Sequence, residues 1–287
     1  MGTKSRRRIN DTSRLRPDIP QLSFRRLTAK PDQNHHPASS APVILPGKIT
    51  GLTILDLGLF EVRGGERLIG IPAYLLQTDT GARILFDTGF PPAYVTDPGI
   101  AARDGLPVFG RLLDFGPQQT AVWALGLLGL VPQDIDLVIL SHGHIDHVGS
   151  LPLFAHAPIV MTRAERSDPR PRYFGIARPM DWPDATYTLI DTDTPVCEGL
   201  TLIPTPGHTP GHLSAILDLP ETGRVILAAD AINRASEPDA GFADAADPVA
   251  AKASSDRLLA LAPGGLLIFG HDPAQWPTLR KAPATYG

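Results

Sequence analysis

With one cysteine in 287 residues, Cys197, the chain has no internal disulfide and no thiolate cluster of the kind structural zinc prefers. It also lacks any apolar run of the roughly 20 residues that a membrane-spanning helix needs. Basic charge is scarce beyond the start. Residues 1–50 hold ten Lys and Arg against three acids, a net +7, which leaves −11 on the remainder of a chain whose formal charge is −4. An acidic body offers nucleic acid little to bind. These absences lead us to expect a soluble, cytoplasmic protein with neither a membrane nor a nucleic-acid partner.

Hydrophobic content of 43% is enough for one sizeable core. Residues 1–47 hold little of it. They mix Arg, Pro, Ser, Asn and His around "KPDQNHHPASSAP", and no apolar segment follows the twin-arginine-like "SRRRIN". We expect a basic, disordered tail over residues 1–47 and one domain over residues 48–287. In that domain, short Val-, Ile- and Leu-rich runs alternate with Gly and Pro: "ITGLTILDLG", "AYLLQTD", "ARILFDTG", "DLVILSHGH", "APIVMT", "LTLIPTPGH", "LSAILDL", "RVILAADA" and "GLLIFGHD". Each reads as a strand, several of them buried on both faces. Helices are expected over residues 117–130 and over residues 247–262, the second with Asp247 as N-cap and Gly264 and Gly265 as stop. This interspersion argues for a layered α/β domain. A faint echo pairs "ARILFDTG" with "RVILAADA" and "DLVILSHGH" with "GLLIFGHD".

The chemistry-bearing residues sit where those runs end. His142, His144, Asp146 and His147 follow "DLVIL", His208 follows "LTLIPTPG", Asp230 follows "RVILAA" and His271 follows "LLIFG". Strand ends gather along one sheet edge, where ligand sites form. Alternate residues of an extended segment point the same way, so His142 and His144 can grip one ion while Asp146 and His147, at the following turn, reach a second. His208 and His271 each complete one set of three, and the two oxygens of Asp230 can bridge. Imidazole and carboxylate ligands suit zinc first, with manganese, iron or cobalt as alternatives, and without thiolate the site reads as catalytic. His212, four residues after His208, is expected to support the site rather than to ligate.

These motifs in this order, "FDTG", "SHGHIDHVG", "PTPGHTPGH", "AAD" and "FGHD", resemble the metallo-β-lactamase superfamily over residues 49–287, and most of all its lactonase branch of N-acyl homoserine lactonases and 4-pyridoxolactonase. The resemblance implies an αβ/βα sandwich, an α/β fold in four layers, with the metal site along one edge of the two sheets. It implies that His142, His144 and His208 hold one ion, that Asp146, His147 and His271 hold the other, and that Asp230 bridges. Asp87 matches the buried aspartate that orients the site, and Asp146 matches the carboxylate that carries a proton to the leaving group. The lactonases of the best-known type have a tyrosine three residues after the bridging aspartate, where it contacts the substrate carbonyl; here that position is Asn233, whose amide can still donate a hydrogen bond.

The function implied is opening of a lactone ring, with an N-acyl homoserine lactone as first candidate and hence quorum quenching, by water activated between two divalent ions. Competing readings are a glyoxalase II-like thioesterase, another esterase or phosphodiesterase of this fold, and a metal-binding protein without catalysis. Complete ligand sets argue against the last. For the substrate pocket, Tyr173, Phe174, Met180 and Trp182 in "RYFGIARPMDW" are candidates to receive an acyl chain. The protein is expected as a monomer or homodimer.

Overall fold

A computed structural model describes residues 45–65, 67–113, 115–172 and 178–287. Most of the expected basic tail, and Tyr173 and Phe174 of the expected pocket, therefore lie outside the described residues.

The strands, in chain order, are β1 (Ile49–Val62), β2 (Leu68–Thr78), β3 (Arg83–Phe86), β4 (Gly110–Leu113), β5 (Leu137–Ile139), β6 (Ile159–Thr162), β7 (Tyr187–Ile190), β8 (Thr194–Cys197), β9 (Leu200–Pro204), β10 (Leu213–Leu219), β11 (Gly223–Ala229) and β12 (Leu266–Phe269). They form a seven-stranded sheet, β4-β1-β2-β3-β5-β6-β7, and a five-stranded sheet, β12-β11-β10-β9-β8. The long β1–β2 pair is antiparallel, with Ile54 opposite Tyr74. By contrast β3, β5, β6 and β7 run parallel, as do β11 and β12.

Alternation along the strands sorts side chains into three clusters. Leu52, Ile54, Tyr74, Leu76, Ile84, Phe86 and Ile139 of the first sheet meet Leu202, Leu213, Ala215, Leu217, Val225 and Leu227 of the second, making the core between the sheets. The opposite face of the first sheet, with Leu75, Leu85 and Val138, is covered by Ala124, Leu125, Val148, Leu151 and Phe154. The outer face of the second, with Ile216, Ile226 and Ala228, is covered by Leu258 of the helix Pro248–Leu261. Four layers result, helix–sheet–sheet–helix, the αβ/βα sandwich expected above. Burial on both faces explains why the central strands read as continuous apolar runs rather than as alternating ones. Truncating one of these core leucines to Ala would cost about 2–5 kcal/mol.

Three strands have no counterpart among the expected runs: β4, β7 and β8. All three are sheet edges, with one neighbouring strand each. An edge strand packs against less protein, and β4 has no fully buried residue, so its sequence carries little apolar signal. The helix expected over residues 117–130 is shorter, a 3-10 turn at Pro117–Gln119 followed by Ala121–Gly126 capped by the Thr120 hydroxyl. Gly126 ends it, and Gly129 turns the chain with φ +72°. The second helix has the expected start, Asp247 accepting from the backbone N–H groups of Val249 and Ala250. Among the described residues, no helix is long and apolar enough to cross a membrane.

Candidate metal centre

The site is built where β5, β9, β11 and β12 stop. Past β5 the chain bends at Ser141 and Gly143, and His144 (φ −70°, ψ 151°) then stands at the N-cap of the single helical turn Ile145–Val148. The bent stretch and the turn part the four side chains. His142 and His144 approach each other, ring centroids 4.6 Å apart, and both rings lie 4.8 Å from that of His208. Asp146 and His147 leave the turn toward His271, whose ring lies 5.5 Å from that of His147.

Two sets of ligand-type atoms result, His142, His144, His208 and Asp230 in one, Asp146, His147 and His271 in the other, each with its atoms within 4.8 Å of one another. Asp230 faces both. Its Oδ2 lies 3.2 Å from His208 Nε2 and 4.0 Å from His142 Nε2, while its Oδ1 lies 3.3 Å from His271 Nε2 and 3.4 Å from His147 Nε2. Asp146 Oδ2 is 3.6 Å from Nε2 of both His147 and His271. Ligands at about 2.0–2.2 Å around a tetrahedral ion stand about 3.3–3.6 Å apart, so these separations fit divalent metal. Nε2 of His142, His147 and His271, Oδ1 of Asp146 and Oδ1 of Asp230 are buried without a hydrogen-bond partner. Each such orphan costs about 1–3 kcal/mol if nothing meets it, and divalent cations in the two sets would meet the three imidazole nitrogens and Asp230 Oδ1.

The other ring nitrogens are occupied, which decides the tautomers. His147 donates through Nδ1 to Asp87 Oδ2 (2.8 Å), His271 through Nδ1 to the Gly70 carbonyl (2.9 Å), and His142 through Nδ1 to Ser141 Oγ (3.0 Å). Asp87 also accepts from the Ser141 N–H (2.8 Å) and hydroxyl (2.7 Å), so one buried carboxylate sets two ligand rings, His147 directly and His142 through the serine. Its backbone holds φ +62° at the β3 exit. Gly149, just past the cluster, has no room for a side chain: a Cβ there would stand 2.3 Å from the Pro91 backbone nitrogen.

Across the site, His212 accepts the Asp230 backbone N–H at Nε2 (3.0 Å) and donates through Nδ1 to Thr205 Oγ1 (2.8 Å). Thr205 passes its proton to Ser214 Oγ and Ser214 to the Ala228 carbonyl, closing a buried chain of donors. Burial, aided by the charge of His208, pushes the His212 pKa down to about 3, so it stays neutral as this arrangement demands. It braces Asp230 and faces no ion.

Electrostatics divides the two sets. Burial and neighbouring imidazoles hold His142 and His144 well below the ordinary histidine range, leaving them neutral and ready to ligate. Burial works against charge on both His147 and His271, yet the carboxylates of Asp146, Asp87 and Asp230 lift His147 well above that range, and Asp230 raises His271 from its ordinary value. The surrounding histidines overcome burial to hold Asp230 ionised.

Asn233 lies at the rim. Its carbonyl accepts from the His271 N–H (3.0 Å), its own N–H donates to Glu237, and its side-chain amide stands 3.5 Å from the Asp230 carbonyl. Met180 and Trp182 are half-buried against the outer cluster of the first sheet, and the Trp182 indole donates to the Asp168 carbonyl (2.8 Å). The Trp182 ring edge reaches the loop between His142 and His144, 3.4 Å from where a Gly143 Cβ would stand.

Sequence reasoning missed Glu165, which is 2% exposed. It lies in "TRAE", the signature of a capping box, and the Thr162 hydroxyl does cap its N–H. The carboxylate instead crosses to other loops. Burial raises its pKa, opposed by the donors of Thr209, Gly143 and Gly211. Ser141 and Thr205 were equally hidden, since nothing in a lone hydroxyl announces a buried relay.

The comparisons with known proteins agree with this geometry. The family model described as "Metallo-beta-lactamase superfamily" matches residues 67–271. An N-acyl homoserine lactonase of Bacillus thuringiensis is 34% identical over 229 residues, covering 76% of this chain and 88% of that protein. The N-acyl homoserine lactonase AttM of Azorhizobium caulinodans is 28% identical over 248 residues, covering 80% and 92%. Among solved structures, an N-acyl homoserine lactone hydrolase with N-hexanoyl-L-homoserine bound at its catalytic metal centre superposes with a TM-score of 0.73 at 28% identity, covering 83% of this chain and all of that one.

Proposed function

The chain belongs to the metallo-β-lactamase superfamily, and from that premise we propose that it is a two-metal hydrolase that opens lactones, N-acyl homoserine lactones first among them. One observation carries the reading: the Asp230 carboxylate turns one oxygen to each of two histidine sets, and the Nε2 atoms of His142, His147 and His271 that face it are buried without a hydrogen-bond partner. Relatives at 28–34% identity bear the name of that activity.

Two divalent ions, zinc in our reading, would supply Lewis acidity toward the ester carbonyl and an activated water at neutral pH. The residues do the rest. His142, His144 and His208 would hold one ion, Asp146, His147 and His271 the other, with Asp230 shared. The oxygen of water adds to the lactone carbonyl carbon, the ring C–O bond breaks, and the departing alkoxide takes a proton to leave a hydroxy acid. Asp146 suits that transfer: Oδ2 faces the two histidines while Oδ1 is buried and unpartnered, free to carry a proton. Asn233 at the rim can offer its amide to the substrate carbonyl oxygen in place of the tyrosine of related lactonases. Trp182 and Met180 would present apolar surface to the acyl chain. A cytoplasmic location accords with the single buried cysteine.

The test is metal content together with a substrate panel. Purified protein should hold close to two ions per chain and hydrolyse acyl homoserine lactones faster than S-lactoylglutathione, a cephalosporin or an aryl phosphodiester. Stripping the metal should abolish turnover and restoring it should bring turnover back. Full activity without metal sinks the mechanism, preference for S-lactoylglutathione moves the assignment to the thioesterase, and bound metal without turnover favours a binding protein.

A further inference from the structure

Asp87 reaches one ring of each set, His147 directly and His142 through Ser141, but the group that joins the loops of the first set is a residue outside every motif above. Strand β6 ends at Thr162, whose hydroxyl accepts the Glu165 N–H and donates to the Gly211 carbonyl (2.5 Å). From the short helix Arg163–Arg166, the Glu165 side chain then reaches in two directions. Its Oε1 accepts the Gly143 N–H (2.9 Å), and its Oε2 accepts the Thr209 hydroxyl (2.7 Å) and the Gly211 N–H (3.1 Å).

Gly143 lies between His142 and His144, and Thr209 follows His208 directly. One buried carboxylate therefore ties together the loops, one from each sheet, that supply all three histidines of the first set. The His208 loop is pressed against the backbone that carries Glu165: a Cβ on Gly211 would stand 2.1 Å from the Glu165 nitrogen. The second set is held otherwise, His147 by Asp87 and His271 by the Gly70 carbonyl. All three groups facing Glu165 are donors, so only a carboxylate satisfies them together. An amide of the same size would turn its NH2 against at least one.

We propose that Glu165 is a positioning residue that selectively sets the metal affinity of the His142–His144–His208 pocket, leaving the Asp146–His147–His271 pocket to other braces. The proposal rests on the two-metal reading. Groups that hold ligands in place typically change metal affinity by about 10–100-fold when removed.

The experiment titrates metal-stripped protein with zinc against a chromogenic chelator, with circular dichroism as the check of folding. Glu165→Gln is placed in two backgrounds, His271→Ala, which leaves the first pocket intact, and His208→Ala, which leaves the second. In the first background Glu165→Gln should weaken the remaining site about tenfold or more. In the second it should change the remaining site less than twofold. An equal change in both backgrounds, or none in either, overturns the proposal. Should Glu165→Gln fail to fold, Thr209→Val, which removes one of the three donors, should show the same split at roughly tenfold, the lower end of what one hydrogen bond to a charged carboxylate is worth. Zinc binding by Thr209→Val like that of its parents, or loss of the folded signal in both variants, overturns it as well. Unsubstituted protein that takes up no zinc brings down the two-metal reading itself, whereas two bound zincs with no split between pockets refute Glu165 alone.

Discussion

The strand pair β3–β5 in one sheet and the pair β11–β12 in the other use the same device for different ends. Each pair is parallel, each delivers its side chains at the same kind of edge, and each leaves its first strand through a residue with positive φ, Asp87 (62°) and Ala229 (45°). Among the described residues these are the two non-glycine positions in that strained region, which costs about 1–2 kcal/mol per residue. In the first pair the acid is the strained residue itself, turned beneath the site to accept from Ser141 and His147. In the second pair the acid comes one residue later, and Asp230 turns its oxygens to the histidines instead. A shift of one position separates an acid that accepts from its neighbours' donors from one that turns both oxygens to the histidines.

That comparison breaks most visibly at Asp230. Asp230→Ala removes an oxygen from both sets, so metal content should fall below one ion per chain, and lactone turnover should drop about a thousandfold, since metal charge stabilisation is worth several kcal/mol. Asp87→Asn, which acts on the brace, should instead weaken the second ion, whose His147 it holds directly, by about 10–100-fold and the first, reached only through Ser141, by less, read as a split in zinc titration. Equal losses in the two variants would refute the division into brace and ligand. The second pair has its own brace in His212, so Thr205→Val, which leaves the His212 Nδ1 proton without an acceptor, should cost about 1–3 kcal/mol. For a domain of this size that lowers Tm by roughly 2–10 °C, measurable by calorimetry. The smallest effect is expected at the rim, where Asn233→Ala should lower turnover about 3–10-fold with metal content unchanged, the worth of one neutral hydrogen bond.

Much of this was legible in the chain. The spacing of His142, His144, Asp146 and His147 carries stereochemistry directly, because a short segment that leaves a strand and closes into one helical turn can point the four side chains in only a few ways. The central strands were legible because both of their faces are buried. The edges β4 and β7 were not, since β4 has no fully buried residue and β7 buries only alternate ones, nor was the short edge β8, whereas the fourth edge, β12, kept its apolar run. The echo between the halves, too slight to weigh as text, has physical content as two parallel strand pairs with matched strained exits. Trp182 was marked for its chemistry, while its position against the His142–Gly143–His144 loop came from folding.

The amino-acid order alone determined which residues can bind metal and that they fall at strand ends, because ligand chemistry and local geometry reside in side-chain type and short spacing. Tertiary structure decided how they are shared and held. Asp230 divides its oxygens, Asp87 and Gly70 choose the tautomers of His147 and His271, and Glu165 fastens Gly143 to Thr209, more than sixty residues further along the chain. Those decisions depend on which donors and acceptors meet when water is excluded, and contacts between residues so distant in the chain have no periodicity to betray them.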